Sequence, residues 1–189
     1  LGLAHGVPGV IGTIARIIAA GVESERARLL LDQAMGWMTS IAAPTSAGRY
    51  GAWLGRGVSE ECTRPSWCYG DAGVSVAFLA ASRCSGRADW LAQALELAVS
   101  LAVHEDERSE PHVGLCHGLA GDAHMLARLH QALPQERLLE AARARFVRLL
   151  SLRRPGMGIG GFTTPSGHAT SARGARGPDA GLLTGSAGI

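Results

Sequence analysis

Four short copies of one turn, spread along the chain, constrain its fold more than any other feature. HGVPG begins at His5, YGDAG at Tyr69, HGLAG at His117 and TGSAG at Thr184, and each contains Gly-x-x-Gly. The starts lie 64, 48 and 67 residues apart, and an apolar stretch of helical character follows each of the first three. Repeats with periods of this order are built from one supersecondary unit that buries its apolar face against its neighbours.

The unit is a helical hairpin. After Gly6 the sequence predicts a helix over residues 8–20, with Pro8 suited to a first turn and Gly21 to a stop. Ser24 reads as the cap of a second helix over 24–41, with Leu29, Leu30, Met35 and Met38 among its apolar positions. The second copy predicts helices over 71–82 and 88–103, separated by a break at Ser85 and Gly86. The third predicts helices over 119–133 and 136–152, separated at Pro134. No segment alternates polar and apolar residues over the length of a strand. The expected class is all-α.

Within each hairpin the first helix is nearly apolar all round, while the second mixes charge with apolar residues. DAGVSVAFLAA and ERLLEAARARFVRLL illustrate the contrast. An apolar helix belongs inside and an amphipathic one outside. Hairpins of this kind build either a solenoid or a closed double ring. In a ring, the glycine turns at the starts of the inner helices converge near one end of the axis. Two long irregular stretches, 44–66 and 154–181, separate the hairpins, and loops of that length are usually functional or disordered. Beyond Phe162 the second is poor in apolar residues and reads as a mobile loop.

Composition narrows the function classes. At 189 residues the chain suits one domain, and 47% apolar content argues against disorder. A net charge of +2, with 18 scattered basic residues that are all arginine, gives nucleic acid or an anionic membrane nothing to grip. The best candidate for a membrane span, residues 7–22, is too short and carries Arg16. The start LGLAHGVPGV lacks the marks of a signal peptide, and also an initiator methionine, so it is expected to be a cut end. Four irregularly spaced cysteines do not form a disulfide framework, and a reducing cytoplasm is the expected compartment.

The cysteines matter more for where they stand. Two residues before the first glycine of the four turns are Ala4, Cys68, Cys116 and Leu183, and one residue before are His5, Tyr69, His117 and Thr184. Cys68 and Cys116 are therefore equivalent, with His117 beside the second. Zinc accepts two cysteines and a histidine with a fourth position open, which is a catalytic type of set. Each thiolate is also expected at a helix N-terminus, near free N–H groups that favour an anion. The competing reading, that both are small buried hydrophobes, stays open on these grounds.

Cys62 and Cys84 lack such partners; Cys84 reads as core. His124 and His130 read as surface or satisfied positions, His104 and His168 as loop residues, and His112 as a ligand only by an awkward path. His5 matches His117 in its turn but lacks a cysteine at Ala4, which suits proton transfer better than metal binding. A glycosidase would need two carboxylates flanking a cleft. The turns offer only Asp71 and Asp122, both read as first-turn acidic residues.

Taken together, AHGVPGVIG, RPSWCYGDAG, CHGLAG and LLTGSAGI resemble the ordered motifs of the lanthionine synthetase C-like family, the lantibiotic cyclases. The resemblance spans the chain. It implies an α/α-toroid of two concentric helical rings, incomplete here, with residues 1–189 forming three hairpins of a cyclase domain and the start of a fourth. The match is to the C-terminal half of such a domain, and a central aspartate of the other half has no counterpart. The resemblance further implies zinc held by Cys68, Cys116 and His117, with His5 as acid–base residue and Arg64 and Tyr69 at the active site. The implied substrate is a dehydrated precursor peptide, supplied by a dehydratase that is a separate protein or a domain of the same synthetase. A cysteine thiol of that peptide adds to a dehydroalanine or dehydrobutyrine, giving a thioether ring. Two alternatives accompany this reading: an enzyme that adds glutathione to dehydrated residues, and a non-catalytic zinc domain that only binds peptide.

Overall fold

The structure, a computed structural model, describes residues 1–22, 24–42, 49–51, 66–103, 111–165 and 176–189. The described residues form six α-helices: α1 (Val7–Ala19), α2 (Ser24–Ser40), α3 (Asp71–Ser85), α4 (Ala88–Val103), α5 (Leu119–Ala132) and α6 (Glu136–Ser151). A two-residue antiparallel pair, β1 (Thr164–Pro165) with β2 (Arg176–Gly177), and a 3₁₀ turn at Ser186–Gly188 complete them. The all-α expectation is met. The chain divides into two compact units, Leu1–His104 and Glu105–Ile189.

In the first unit α1 packs on α2, α3 packs on α4, and the two leading helices α1 and α3 pack on each other. Pro8 sits in the first turn of α1, where its missing N–H costs nothing. The break between α3 and α4 is made by Gly86, whose φ of 75° closes α3 in the left-handed region while its N–H donates to the Ser82 carbonyl at 2.7 Å. Ser82 Oγ donates across the same break to the Arg87 carbonyl. Ten of the fifteen residues of α3 are buried, and Ser75 Oγ ties it to α4 by donating to the Ala94 carbonyl at 2.8 Å. Phe78, Leu97 and Leu101 are fully covered, each worth about 1.5–3 kcal/mol relative to an exposed side chain.

The inside–outside assignment holds for α3 and weakens for α1. Helix α1 buries Pro8, Ile11, Ala15 and Ile18 along one stripe, but Val10 is 54% exposed and Ile17 is exposed as well. On α2 the buried stripe is Ala27, Leu31, Met35 and Met38, leaving Leu29 and Leu30 exposed. Ser24, expected as a cap, is the first residue of that helix.

In the second unit α5 and α6 form the hairpin, with Leu126, Leu129, Leu138 and Leu149 fully buried. A further cluster joins Val113, Leu119, Ala120, Leu149 and Phe162, with Leu152 and Ile189 against it. The β1–β2 pair falls in the segment expected to be irregular. Arg176 braces it, its Nη2 donating to the Thr163 carbonyl at 2.7 Å. The stretch expected to be a mobile loop lies in part, at residues 166–175, outside the described residues.

Candidate metal centre

The reason for Gly-x-x-Gly is visible in all four copies. A methyl group on the second glycine, at Gly9, Gly73, Gly121 or Gly188, would overlap a backbone carbonyl oxygen: that of Leu3, Trp67, Leu115 or Leu182 respectively. Each carbonyl belongs to the residue three before the first glycine. The chain thus doubles back across the start of its own helix, and only hydrogen fits between. The residues one and two before the first glycine are held at the crest of this fold.

The turns also stack in pairs. In the first unit Gly2 lies against the Cys68 carbonyl, and the Gly70 N–H donates to the Leu1 carbonyl at 2.8 Å. In the second unit Gly114 lies against the carbonyls of Leu183 and Thr184, and the Cys116 N–H donates to the Leu183 carbonyl at 2.7 Å. Gly2 and Gly114 both stand four residues before a first glycine, and Cys68 and Leu183 both stand two before the next. Turn one thus packs against turn two, and turn three against turn four, though the hydrogen bond that joins each pair falls at a different place in the turn.

Cys68, 3% exposed, has its Sγ 3.2 Å from Ser66 Oγ. Ser66 also closes the turn: its N–H donates to the Tyr69 carbonyl at 3.1 Å, and its hydroxyl lies at the same distance from that oxygen. Gly70 has a φ of 84°, which a side chain would strain, whereas Gly6 and Gly118 are extended. His5 is exposed and stacks on the Tyr69 ring, centroids 5.4 Å apart at 27°. Cys116 and His117 are half-buried, and the His112 ring meets His117 edge-on at 4.8 Å.

The structure therefore joins His5 to Tyr69 in the first unit, and keeps Cys116, His117 and His112 together in the second. Cys68 belongs to the first unit. Arg64 and Cys62 lie outside the described residues, as do His104 and His168. Cys84 is half-buried rather than core, its Sγ 3.2 Å from the Ala81 carbonyl, and burial pushes its thiol up from its usual pKa. His130 is satisfied by the Gln135 carbonyl at 2.9 Å.

One expectation needs correction. The first N–H groups of α5 are not free for a thiolate: those of Leu119, Ala120 and Gly121 donate to the carbonyls of His112, Val113 and Gly114. Asp71 stands in the first turn of α3 as expected, and it is also buried, accepting the N–H groups of Arg49 and Tyr50 at 2.9 and 2.8 Å. The His112 ring meets that of His117 because the same doubling back brings residues 112–114 over the helix start. Ser66 carried a signal that sequence reasoning passed over: the equivalent position in the other turns is glycine every time, at Gly2, Gly114 and Gly181.

Two thiols and an imidazole are a donor set that suits zinc, with soft sulfur favoured over the harder cations and three ligands leaving one position open. The Ser66 hydroxyl at Cys68 and the His112 ring at His117 supply the kind of neighbours that orient such ligands.

The family model described as Lanthionine synthetase C-like protein matches residues 1–189. No curated protein matches the sequence. Among solved structures, nisin cyclase is similar in fold, with a TM-score of 0.65 and 19% identity over 85% of this chain. The chain spans 42% of that structure's length.

Proposed function

The chain belongs to the lanthionine synthetase C-like family, and we propose that it works as a zinc-dependent peptide cyclase, forming thioether rings in a dehydrated precursor peptide. Its hairpins are then part of an α/α-toroid, and the peptide comes to it from a dehydratase, as a partner protein or a neighbouring domain. Nisin cyclase, similar in fold, bears a name of the same kind.

Cys68, Cys116 and His117 are the proposed ligands, a group of the kind that could hold a metal ion. The observation that carries this is the shared turn geometry. Cys68 and Cys116 stand at the same place in turns built on the same carbonyl–glycine contact. Bound there, zinc supplies a Lewis acid that lowers the pKa of a substrate thiol.

The chain's other residues manage charge and protons. A peptide cysteine sulfur bonds to the β-carbon of dehydroalanine or dehydrobutyrine, and the electron pair of the C=C bond moves onto the carbonyl as an enolate. Its α-carbon then needs one proton, matching the one the thiol lost. His5 is the proposed donor: its exposed ring, set by the Tyr69 stack, can present an N–H to substrate. Arg64 is proposed to stabilise the enolate charge.

His5→Asn in the intact protein should keep zinc and slow ring closure at least tenfold, general acid–base groups being worth about 10²–10⁴-fold. Mass spectrometry of a dehydrated peptide, with thiol blocking to count unreacted cysteines, reads the rate. Cyclisation at the normal rate would assign the proton to another group. Zinc retention with no cyclisation by the unmutated protein would favour a binding domain, and glutathione addition in its place the glutathione-adding enzyme.

A further inference from the structure

The Ser66 hydroxyl lies against a proposed ligand sulfur as well as within its own turn. Three of the four turns have glycine at this position, so a side chain there is particular to the Cys68 turn. In the exception, the hydroxyl lies 3.2 Å from Cys68 Sγ, and both residues are buried. A hydroxyl has one proton to give, and two acceptors are in reach, Cys68 Sγ and the Tyr69 carbonyl. The carbonyl already accepts the Ser66 N–H at 3.1 Å. It does not need the hydroxyl.

We propose that Ser66 is a positioning residue for Cys68: its O–H donates to the cysteine sulfur when that sulfur is a metal ligand, fixing the lone-pair direction and drawing off part of the charge. This rests on the zinc reading of Cys68. Hydrogen bonds to an ionised acceptor are about twice as strong as neutral ones, so a thiolate captures the hydroxyl from the carbonyl. The neighbouring His117 ligand has an aromatic ring rather than a hydroxyl beside it, and the Cys116 turn has Gly114 where Ser66 would be.

Cobalt(II) in place of zinc reports sulfur charge directly, through the energy of its sulfur-to-metal absorption. The intact protein, Cys68→Ala, Ser66→Ala, Ser66→Thr and Ser66→Val are titrated with cobalt(II) against a competing chelator, with circular dichroism to check folding. In the unmutated protein the band should depend on Cys68. A band indifferent to Cys68→Ala would bring down the zinc reading and this inference together. Given that dependence, Ser66→Ala should move the band to lower energy and weaken cobalt(II) by about tenfold or more, as loss of outer partners does. Thr should behave as wild type and Val as Ala, since the two differ only in the hydroxyl. If Ala fails to fold, the Thr–Val comparison decides. An unmoved band with unchanged affinity, or Thr and Val behaving alike, would overturn the role of Ser66 while leaving zinc in place.

Discussion

Asp71 and Tyr50 show how one residue can do more than its place at a helix start announces. An acid at the start of a helix looks like a partner for the helix dipole, yet here the carboxylate is buried and anchors residues 49–50 through two N–H groups. Removing an acceptor of this kind strands buried donors, so Asp71→Ala should cost about 1–3 kcal/mol or more, read by urea unfolding. Unchanged stability would mean that water satisfies those N–H groups. Burial, together with the Asp71 charge, pushes the Tyr50 hydroxyl from 10 up to about 12. Between those values the folded protein keeps a proton that the unfolded chain has lost. The stability this contributes is complete below pH 10 and is lost as pH rises through about 12. Tyrosinate absorbance should show a late step that Tyr50→Phe removes; its persistence would assign the step elsewhere.

At the scale of the helix, the glycines separate into two kinds with opposite expected effects. Gly121 is wedged against the Leu115 carbonyl at the start of α5, while Gly36 stands within α2 with nothing near its would-be side chain. Gly121→Ala should unseat the turn that carries Cys116 and His117, lowering both stability and metal affinity. Gly36→Ala should stabilise by about 0.5–1 kcal/mol, the ordinary entropic gain in a helix interior. Thermal melts of the two variants check both, and equal effects would refute the wedge. The helices themselves were legible: the span 88–103 was read directly, and the others fell within a few residues of their observed ends. Gly21, Gly86 and Pro134 mark their breaks unmistakably. What periodicity could not supply was the environment of each apolar face, which is why α1 looked buried all round and is not. Nor could it reveal that backbone carbonyls occupy the first N–H groups of α5, since that depends on how the preceding loop folds back.

For the molecule as a whole, the equivalence of Cys68 and Cys116 was legible because the four turns align without gaps around their glycines. The neighbours that orient them were not. Ser66 and His112 meet Cys68 and His117 through a doubled-back backbone that no local propensity encodes, although the serine among glycines was a usable sign. The proposed ligands are divided between the two units, Cys68 in one and Cys116 with His117 in the other. If they share one metal, that metal staples the units, and stability should depend on it. Chelation should then lower the midpoint of thermal unfolding, and a midpoint unmoved by chelator would contradict the staple. The claim on which the rest depends is that these three side chains hold a single zinc. Metal content of the intact protein, measured by mass spectrometry of the digested sample, tests it most directly. The account predicts one zinc per chain, lost or greatly reduced in Cys68→Ala, Cys116→Ala and His117→Ala and kept in Cys84→Ala; full retention in Cys68→Ala or Cys116→Ala would contradict it.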